Sequence, residues 1–322
     1  MAVYTKINKK NINSFIKNYN IGTIQKFKGI KEGIENTNYF LQTSKGKFIL
    51  TIYEKRTNKK DLPFFMKLMD NLNKNNFKCP KPIKNLDGKH ISILKKKPAA
   101  IVSFLNGSSK NNLSPDNCYQ VGMQVAKFHS ITKKISIKRD NSLSLNSWEE
   151  LFKKVEIESR KIGKNLPIKI KNSLIEIKKN WPKNLPNGII HGDLFIDNIF
   201  FKKNKLSGII DFYFAANDFF MYEIAICINA LCFDKKNSKF KINKQKIKNL
   251  IKGYEKVKKI SLKEKRSLNI LCRGAAMRYF LTRLYDYSNT PKAALIKVKD
   301  PEEYYQKLII HNNLSTYKDY LI

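Results

Sequence analysis

Hydrophobic and polar positions divide the chain into two parts with different periods. In the first part the apolar residues come in short runs of the kind strands use. Tyr39–Gln42 and Lys47–Tyr53 are separated by Thr43-Ser44-Lys45-Gly46, a hairpin loop in which Gly46 suits a positive φ. Asp61-Leu62-Pro63 then opens a helix with proline in its first turn, and Phe64, Phe65, Leu68, Met69 and Leu72 recur at helical spacing. An extended Cys79-Pro80-Lys81-Pro82 segment and an Asp87-Gly88 turn lead to an apolar strand, Ala99–Leu105, which stops at Asn106-Gly107.

Beyond that Asn-Gly the period becomes helical. Ser114-Pro115 supplies an N-cap and a first-turn proline for a helix whose face carries Val121, Val125 and Phe128. Ser147-Trp148-Glu149-Glu150 has the form of a capping box and predicts a second helix start. A Lys-rich amphipathic stretch runs from there to about Lys179, and Trp181-Pro182 ends it. Short strands are expected at Gly188–Ile190, Ile199–Lys202 and Leu206–Ile210, and the chain from Tyr222 onward reads as largely helical. The expected class is α+β, with a small β-rich lobe over 1–105 and a larger, mainly helical lobe over 106–322. That order suits a bilobal protein-kinase-like fold.

Composition narrows the possibilities. At 322 residues, 42% hydrophobic and 28% charged, the chain is globular and large enough for two cores. Its most apolar stretch, Phe219–Phe233, is interrupted by Glu223 and Asn229 and is too short to cross a bilayer. The N-terminus lacks the apolar core of a secretory signal, so a cytoplasmic location is expected and no membrane partner. Five cysteines without a CxxC pair, and four histidines without ligand spacing, point to neither a disulfide framework nor a zinc site. The net charge of +37 raises nucleic-acid binding as a possibility. However, the lysines are spread along the whole chain among Asn and Ile, and no zinc-finger spacing, RNP-type motif or basic heptad accompanies them. No dedicated nucleic-acid partner is expected.

The chemistry is concentrated in His191-Gly192-Asp193-Leu194-Phe195-Ile196-Asp197-Asn198, followed by Ile209-Ile210-Asp211-Phe212. Phosphoryl transfer needs a carboxylate to orient the attacking hydroxyl and oxygen ligands to hold Mg²⁺ against phosphates. Asp193 and Asn198 have the five-residue separation of the catalytic Asp and the metal-binding Asn in a kinase loop, and Asp211-Phe212 ends an apolar strand as D-F-G does. Asp193 is therefore the candidate catalytic acid, with Asn198 and Asp211 the candidate metal ligands. His191 is read as a structural partner of the loop and His129 as a packed histidine; Asp197 is open between a place near the metal and a hydrogen bond to the loop backbone, with the second preferred. Gly29 and Gly33 precede the first strand pair, where a phosphate cover belongs, but without the G-x-G-x-x-G spacing an ordinary turn is an equal reading. The strand that would carry a phosphate-holding lysine offers Thr51 instead.

Taken together, these segments resemble the homoserine kinase family of the aminoglycoside phosphotransferase and choline kinase superfamily. HGDLFIDN reports only the superfamily. EGIENTNYF, LTIYEKR and RGAAMRYFLTRL are similar to the narrower family. The resemblance implies ATP with Mg²⁺ and L-homoserine as substrates, giving O-phospho-L-homoserine for threonine biosynthesis. It implies that the segment holding Gly29, Gly33, Asn36 and Asn38 covers the phosphates, and that the strand end at Ser103 and Leu105 meets adenine through its backbone. A homoserine carboxylate calls for an arginine. Arg273 and Arg278 are candidates, with structural ion pairs as the alternative, and Asp218 and Glu223 are candidates for the ammonium, with a structural role an equal reading of either. Choline, methylthioribose or an aminoglycoside as acceptor, or a basic nucleic-acid-binding protein on a kinase scaffold, are the competing readings.

Overall fold

The computed structural model describes residues 4–30, 36–54, 58–290 and 298–321. It divides into two compact units. The first is Met1–Gly107 with Ser207–Tyr213, and the second is Ser108–Leu206 with Phe214–Ile322. The division falls two residues beyond the expected boundary at 105. Residues 207–213 also return to the first unit, which no local pattern announced.

In the first unit, strands β1 (Ile24–Gly29), β2 (Thr37–Thr43), β3 (Gly46–Ile52), β4 (Pro82–Ile83), β5 (Ile91–Leu94) and β6 (Lys97–Ser103) form one antiparallel sheet ordered β1-β2-β3-β6-β4, with β5 also on β6. The hairpin register pairs Thr43 with Gly46, whose φ is +140°, as the sequence led one to expect. β2 buries alternate residues, so Tyr39 and Leu41 face the core with Leu50, Ile52, Ala99 and Ile101. Helix α1 (Lys9–Ile16) covers them with Ile12, Phe15 and Ile16. Helix α2 (Leu62–Lys74) buries Phe65, Met66, Leu68, Met69 and Leu72.

The second unit holds α3 (Pro115–Thr132), α4 (Leu145–Ile162), α5 (Leu166–Asn180), β7 (Asn187–Ile190), β8 (Ile199–Lys202), the start of β9 (Lys205–Ile209), β10 (Ala216–Phe219), α6 (Phe220–Leu231), β11 (Phe233–Lys236), β12 (Lys239–Ile242), α7 (Lys244–Glu255), α8 (Leu262–Arg266), α9 (Leu268–Asn289) and α10 (Glu302–Asn312). α3 begins at the predicted Ser114 cap, completed by a reciprocal bond with Asn117. Its close contact with α7 depends on two glycines. A Cβ on Gly122 would lie 2.0 Å from the Leu250 carbonyl oxygen, and one on Gly253 would lie 2.0 Å from that of Tyr119.

Three local expectations are corrected. The helix expected from Ser147 starts at Leu145, because Trp148 is fully buried and its indole N–H donates to the Leu143 carbonyl, 2.9 Å away, drawing the preceding residues into the turn. Ser147 donates its hydroxyl to Ser144 O instead of capping. The single Lys-rich stretch is two helices, because Gly163 adopts an extended conformation between them. β11 and β12 form a hairpin inside the region read as helix. Among the described residues no helix is long and apolar enough to cross a membrane, and all five cysteines are buried and unpaired.

Candidate active site

The site is built on the ribbon β7–β10, in which Ile190 pairs with Ala216 and Gly188 with Asp218. Past Ile190 the chain must turn at once, and Gly192 does so at φ +74°. A Cβ there would sit 2.7 Å from the Phe214 carbonyl oxygen, so both the conformation and the space demand glycine. The turn is held from behind by Glu223 in the first turn of α6, 1% exposed, whose carboxylate accepts the N–H of His191 and, at 3.3 Å, that of Gly192. Burial pushes the Glu223 carboxyl up to about 7, against the pull of those two N–H groups and of Arg278. Tyr279 of α9 donates to the Gly192 carbonyl at 2.9 Å, and its ring meets Phe195 edge-on at 4.9 Å.

This frame presents Asp193, which is half-buried. The Asp193 N–H donates to His191 Nδ1 at 3.3 Å, so His191 braces the loop as expected. The amide nitrogen of Asn198 donates to the Asp193 carbonyl at 2.8 Å and lies 3.4 Å from Asp193 Oδ2, which commits that nitrogen and leaves Asn198 Oδ1 as its acceptor atom. Burial raises Asp193 to about 6, opposed by the charges of Arg278 and Lys299. Asp197 is corrected: its carboxylate meets Lys299 at 3.4 Å, on the exposed side of the loop, not the loop backbone. His129 is packed as expected, stacked on Phe220 at 4.4 Å with Nδ1 2.8 Å from the Tyr254 hydroxyl.

Asp211 belongs to the first unit and is exposed just past β9. Its φ is +65°, a left-handed conformation that non-glycine residues seldom adopt. The turn is anchored on both sides. The Ile209 N–H donates to Lys78 O at 3.0 Å, and Phe212 is 1% exposed. The Tyr213 hydroxyl lies 3.0 Å from that of Tyr53, with the Tyr213 ring edge-on to Phe65.

Of the expected nucleotide-side residues, Gly33 lies outside the described residues. Gly29 ends β1 opposite Tyr39. Asn36 accepts the Glu54 N–H at 3.2 Å, and Asn38 accepts the Thr51 hydroxyl at 2.7 Å across the β2–β3 pair. Thr51 is thus buried and engaged within the sheet. Glu54 forms an ion pair with Lys97 and accepts the hydroxyls of Thr5 and Thr37. At the end of β6, the Ser103 N–H donates to Lys81 O at 2.8 Å and the Phe104 N–H to Lys47 O at 3.1 Å, so strand pairing ends just ahead of Leu105.

The three arginines of α9 have separate environments. Arg273 makes a two-point pair with Glu176, at 2.7 and 2.5 Å, and so is held away from the expected acceptor role. Arg283 binds Glu303 at 2.7 Å and the Asp300 carbonyl at 3.1 Å. Arg278 is 2% exposed and lies 4.7 Å over the Tyr279 ring, with Asp193 among the charges acting on it. Asp218 accepts Asn141 Nδ2 and its neighbour's N–H from Phe219, both at 2.7 Å. The sequence reading missed Tyr279. The available signal was its place beside Arg278 in RGAAMRYFLTRL.

A loop acid with an amide oxygen five residues on, and a second acid at a strained strand end, are the parts of an enzyme that moves phosphoryl groups, and the chain belongs to the phosphotransferase enzyme family (APH), whose model matches residues 26–242. Its fold is the kinase-like one. An amicoumacin kinase solved with AMP-PNP and Ca²⁺ superposes with a TM-score of 0.68 at 12% identity, covering 98% of this chain and 93% of that one. Choline kinase from Cryptosporidium parvum Iowa II gives 0.66 at 16%, covering 98% and 96%. Within the family, the chain is 43% identical to the homoserine kinase of Rhizobium meliloti (strain 1021), over 99% of this chain and 97% of that protein. It is also 43% identical to the homoserine kinase of Allorhizobium ampelinum, over 99% of each.

Proposed function

We propose that this protein transfers the γ-phosphoryl group of ATP to the side-chain hydroxyl of L-homoserine, giving O-phospho-L-homoserine and ADP for threonine biosynthesis in the cytoplasm. The observation that carries this reading is 43% identity to homoserine kinases across 99% of the chain. In the reaction the homoserine oxygen forms a bond to Pγ as the bond from Pγ to the β–γ bridging oxygen breaks, and ADP leaves. Asp193 orients the hydroxyl and takes its proton. Tyr279, Glu223 and Gly192 act on it indirectly, by fixing the loop.

The residues present suit a magnesium–nucleotide substrate. Mg²⁺ takes oxygen ligands and retains waters. Asn198 Oδ1 and the Asp211 carboxylate are the oxygens this chain would offer. Among the described residues no group of three His, Cys, Asp or Glu is placed to hold a metal. When bound, the ion neutralises charge on the β- and γ-phosphates. The segment containing Gly29, Gly33, Asn36 and Asn38 covers those phosphates, and the backbone at Ser103 and Leu105 receives adenine. ADP release measured against a panel of L-homoserine, choline, methylthioribose and an aminoglycoside tests the assignment. Turnover of homoserine with O-phosphohomoserine as product is expected. Turnover of choline without homoserine would overturn it.

A further inference from the structure

Arg273 leaves only its Nε without a partner and Arg283 is paired with Glu303, whereas Arg278 has no ion pair among the described residues. Its Nε and Nη1 are buried and have no hydrogen-bond partner. The hydroxyl of Tyr222, a fully buried residue, lies close enough to favour the charge of Arg278 but does not reach hydrogen-bond geometry with it. A guanidinium left unsatisfied in the interior is costly unless an anion completes it. The carboxylates that act on it, Asp193, Asp218 and Glu223, leave those nitrogens unbonded, and Glu223 is already committed to the His191 and Gly192 N–H groups. Asp218, on β10, has one donor on each oxygen and so retains lone pairs for a cation. All of these residues lie in the second unit with Asp193, whose charge acts on Arg278. An acceptor with a hydroxyl at one end and a zwitterion at the other matches this arrangement of charges: an acid, a buried arginine and a second acid.

We propose that Arg278 and Asp218 form an α-amino-acid subsite, Arg278 binding the acceptor's carboxylate and Asp218 its ammonium. This rests on the homoserine reading and deepens it, by assigning acceptor specificity to two side chains. Arginine suits the first role because its planar fork matches a carboxylate, and lysine would not reproduce it. A site built around paired polar groups rejects an acceptor lacking one of them, because its own buried groups are then left unpaired.

The test uses two truncated acceptors, 3-aminopropan-1-ol, which lacks the carboxylate, and 4-hydroxybutyrate, which lacks the ammonium. The wild-type protein should favour L-homoserine over each by at least 100-fold in kcat/KM. Arg278→Gln should raise the homoserine KM, and its kcat/KM loss for homoserine should exceed that for 3-aminopropan-1-ol by tenfold or more. Asp218→Asn should behave in the same way toward 4-hydroxybutyrate, with the KM for ATP unchanged in both variants. Equal losses on homoserine and 3-aminopropan-1-ol would overturn the assignment and show Arg278 acting through the charge of Asp193. Should Arg278→Gln fold poorly, the analogue ratios of the wild-type protein and of Arg278→Lys decide: a wild-type ratio below tenfold sinks the proposal. An absence of homoserine turnover alongside choline turnover would refute the homoserine reading itself, a distinct result.

Discussion

At the end of β7 the left-handed backbone step falls on Gly192, one residue ahead of the acid; at the end of β9 it falls on Asp211 itself. The first turn assigns the unusual conformation to a residue without a side chain, and leaves Asp193 free to be positioned by its bonds to His191 and Asn198. The second puts conformation and carboxylate on one residue, and relies on a hydrophobic anchor and a tyrosine pair to hold it. The two also differ in burial. Asp193 is half-buried with its carboxyl raised to about 6, whereas Asp211 is exposed. A proton acceptor benefits from a perturbed environment, and a cation ligand benefits from access. The contrast predicts that substitutions near Asp193 cost both rate and stability, while those at Asp211 separate the two.

The largest expected effect is on the chemistry. Asp193→Asn should lower kcat by about 10²- to 10⁴-fold, the usual value of a positioned general base. Nucleotide affinity, read by isothermal titration, should largely survive; a matching loss of affinity would move Asp193 into the metal shell. Next comes Gly192→Ala, which forces a Cβ into a left-handed position 2.7 Å from a backbone oxygen. We expect a loss of about 3 kcal/mol in urea unfolding, combining backbone strain and steric overlap. A loss under 1 kcal/mol would show that the Phe214 segment yields easily. Glu223→Ala follows at about 2 kcal/mol, because it leaves the buried N–H groups of His191 and Gly192 without their acceptor. An unchanged unfolding midpoint would remove Glu223 as the brace of the loop.

These residues also show what the sequence could reveal. The spacing of Asp193, Asn198 and Asp211 was legible because phosphoryl transfer fixes which residue types are needed and how far apart they stand in a loop. The β2–β3 hairpin and α3 were legible from period, caps and a glycine. Strand β1 was not, since IQKFKG is a half-exposed edge strand with no clean alternation. The α4 start was misread because a buried tryptophan outweighed a local capping pattern. Which arginine takes an ion pair and which does not was beyond sequence reasoning. Arg273 and Arg278 are the same residue type on one helix, and only the folded chain brings Glu176 to one of them. Asp197 shows the same limit from the opposite side, since its partner Lys299 lies 102 positions away.

Asp211 offers the sharper test of the contrast. Asp211→Ala and Asp211→Gly should both abolish the carboxylate's contribution to turnover, yet differ in stability. Glycine adopts φ +65° without a Cβ penalty, so Asp211→Gly should be more stable than Asp211→Ala by about 1 kcal/mol. At an ordinary helical or extended position the order would reverse, because glycine carries the larger conformational entropy in the unfolded chain. Equal stabilities would mean the turn relaxes once the acid is gone, and that the left-handed conformation is imposed by the side chain rather than by the chain on either side.

The smallest effect concerns the tyrosine pair that follows Asp211. Tyr53 is 1% exposed and its hydroxyl meets that of the half-buried Tyr213 at 3.0 Å. Tyr213→Phe strands the Tyr53 hydroxyl in the interior, at a cost of about 1 kcal/mol. Tyr53→Phe should cost less, because the Tyr213 hydroxyl also has the Thr51 hydroxyl within reach. Removing both hydroxyls leaves two rings of the same shape with nothing unsatisfied, so the double variant should be more stable than Tyr213→Phe alone, a coupling that a double-mutant cycle reads directly. If the pair serves to hold the Asp211 turn, the Mg²⁺ concentration for half-maximal activity should rise in the double variant even as its unfolding midpoint recovers. An unchanged Mg²⁺ dependence would reduce the pair to packing, and would leave Phe212 and the Ile209–Lys78 bond as the supports of the second turn.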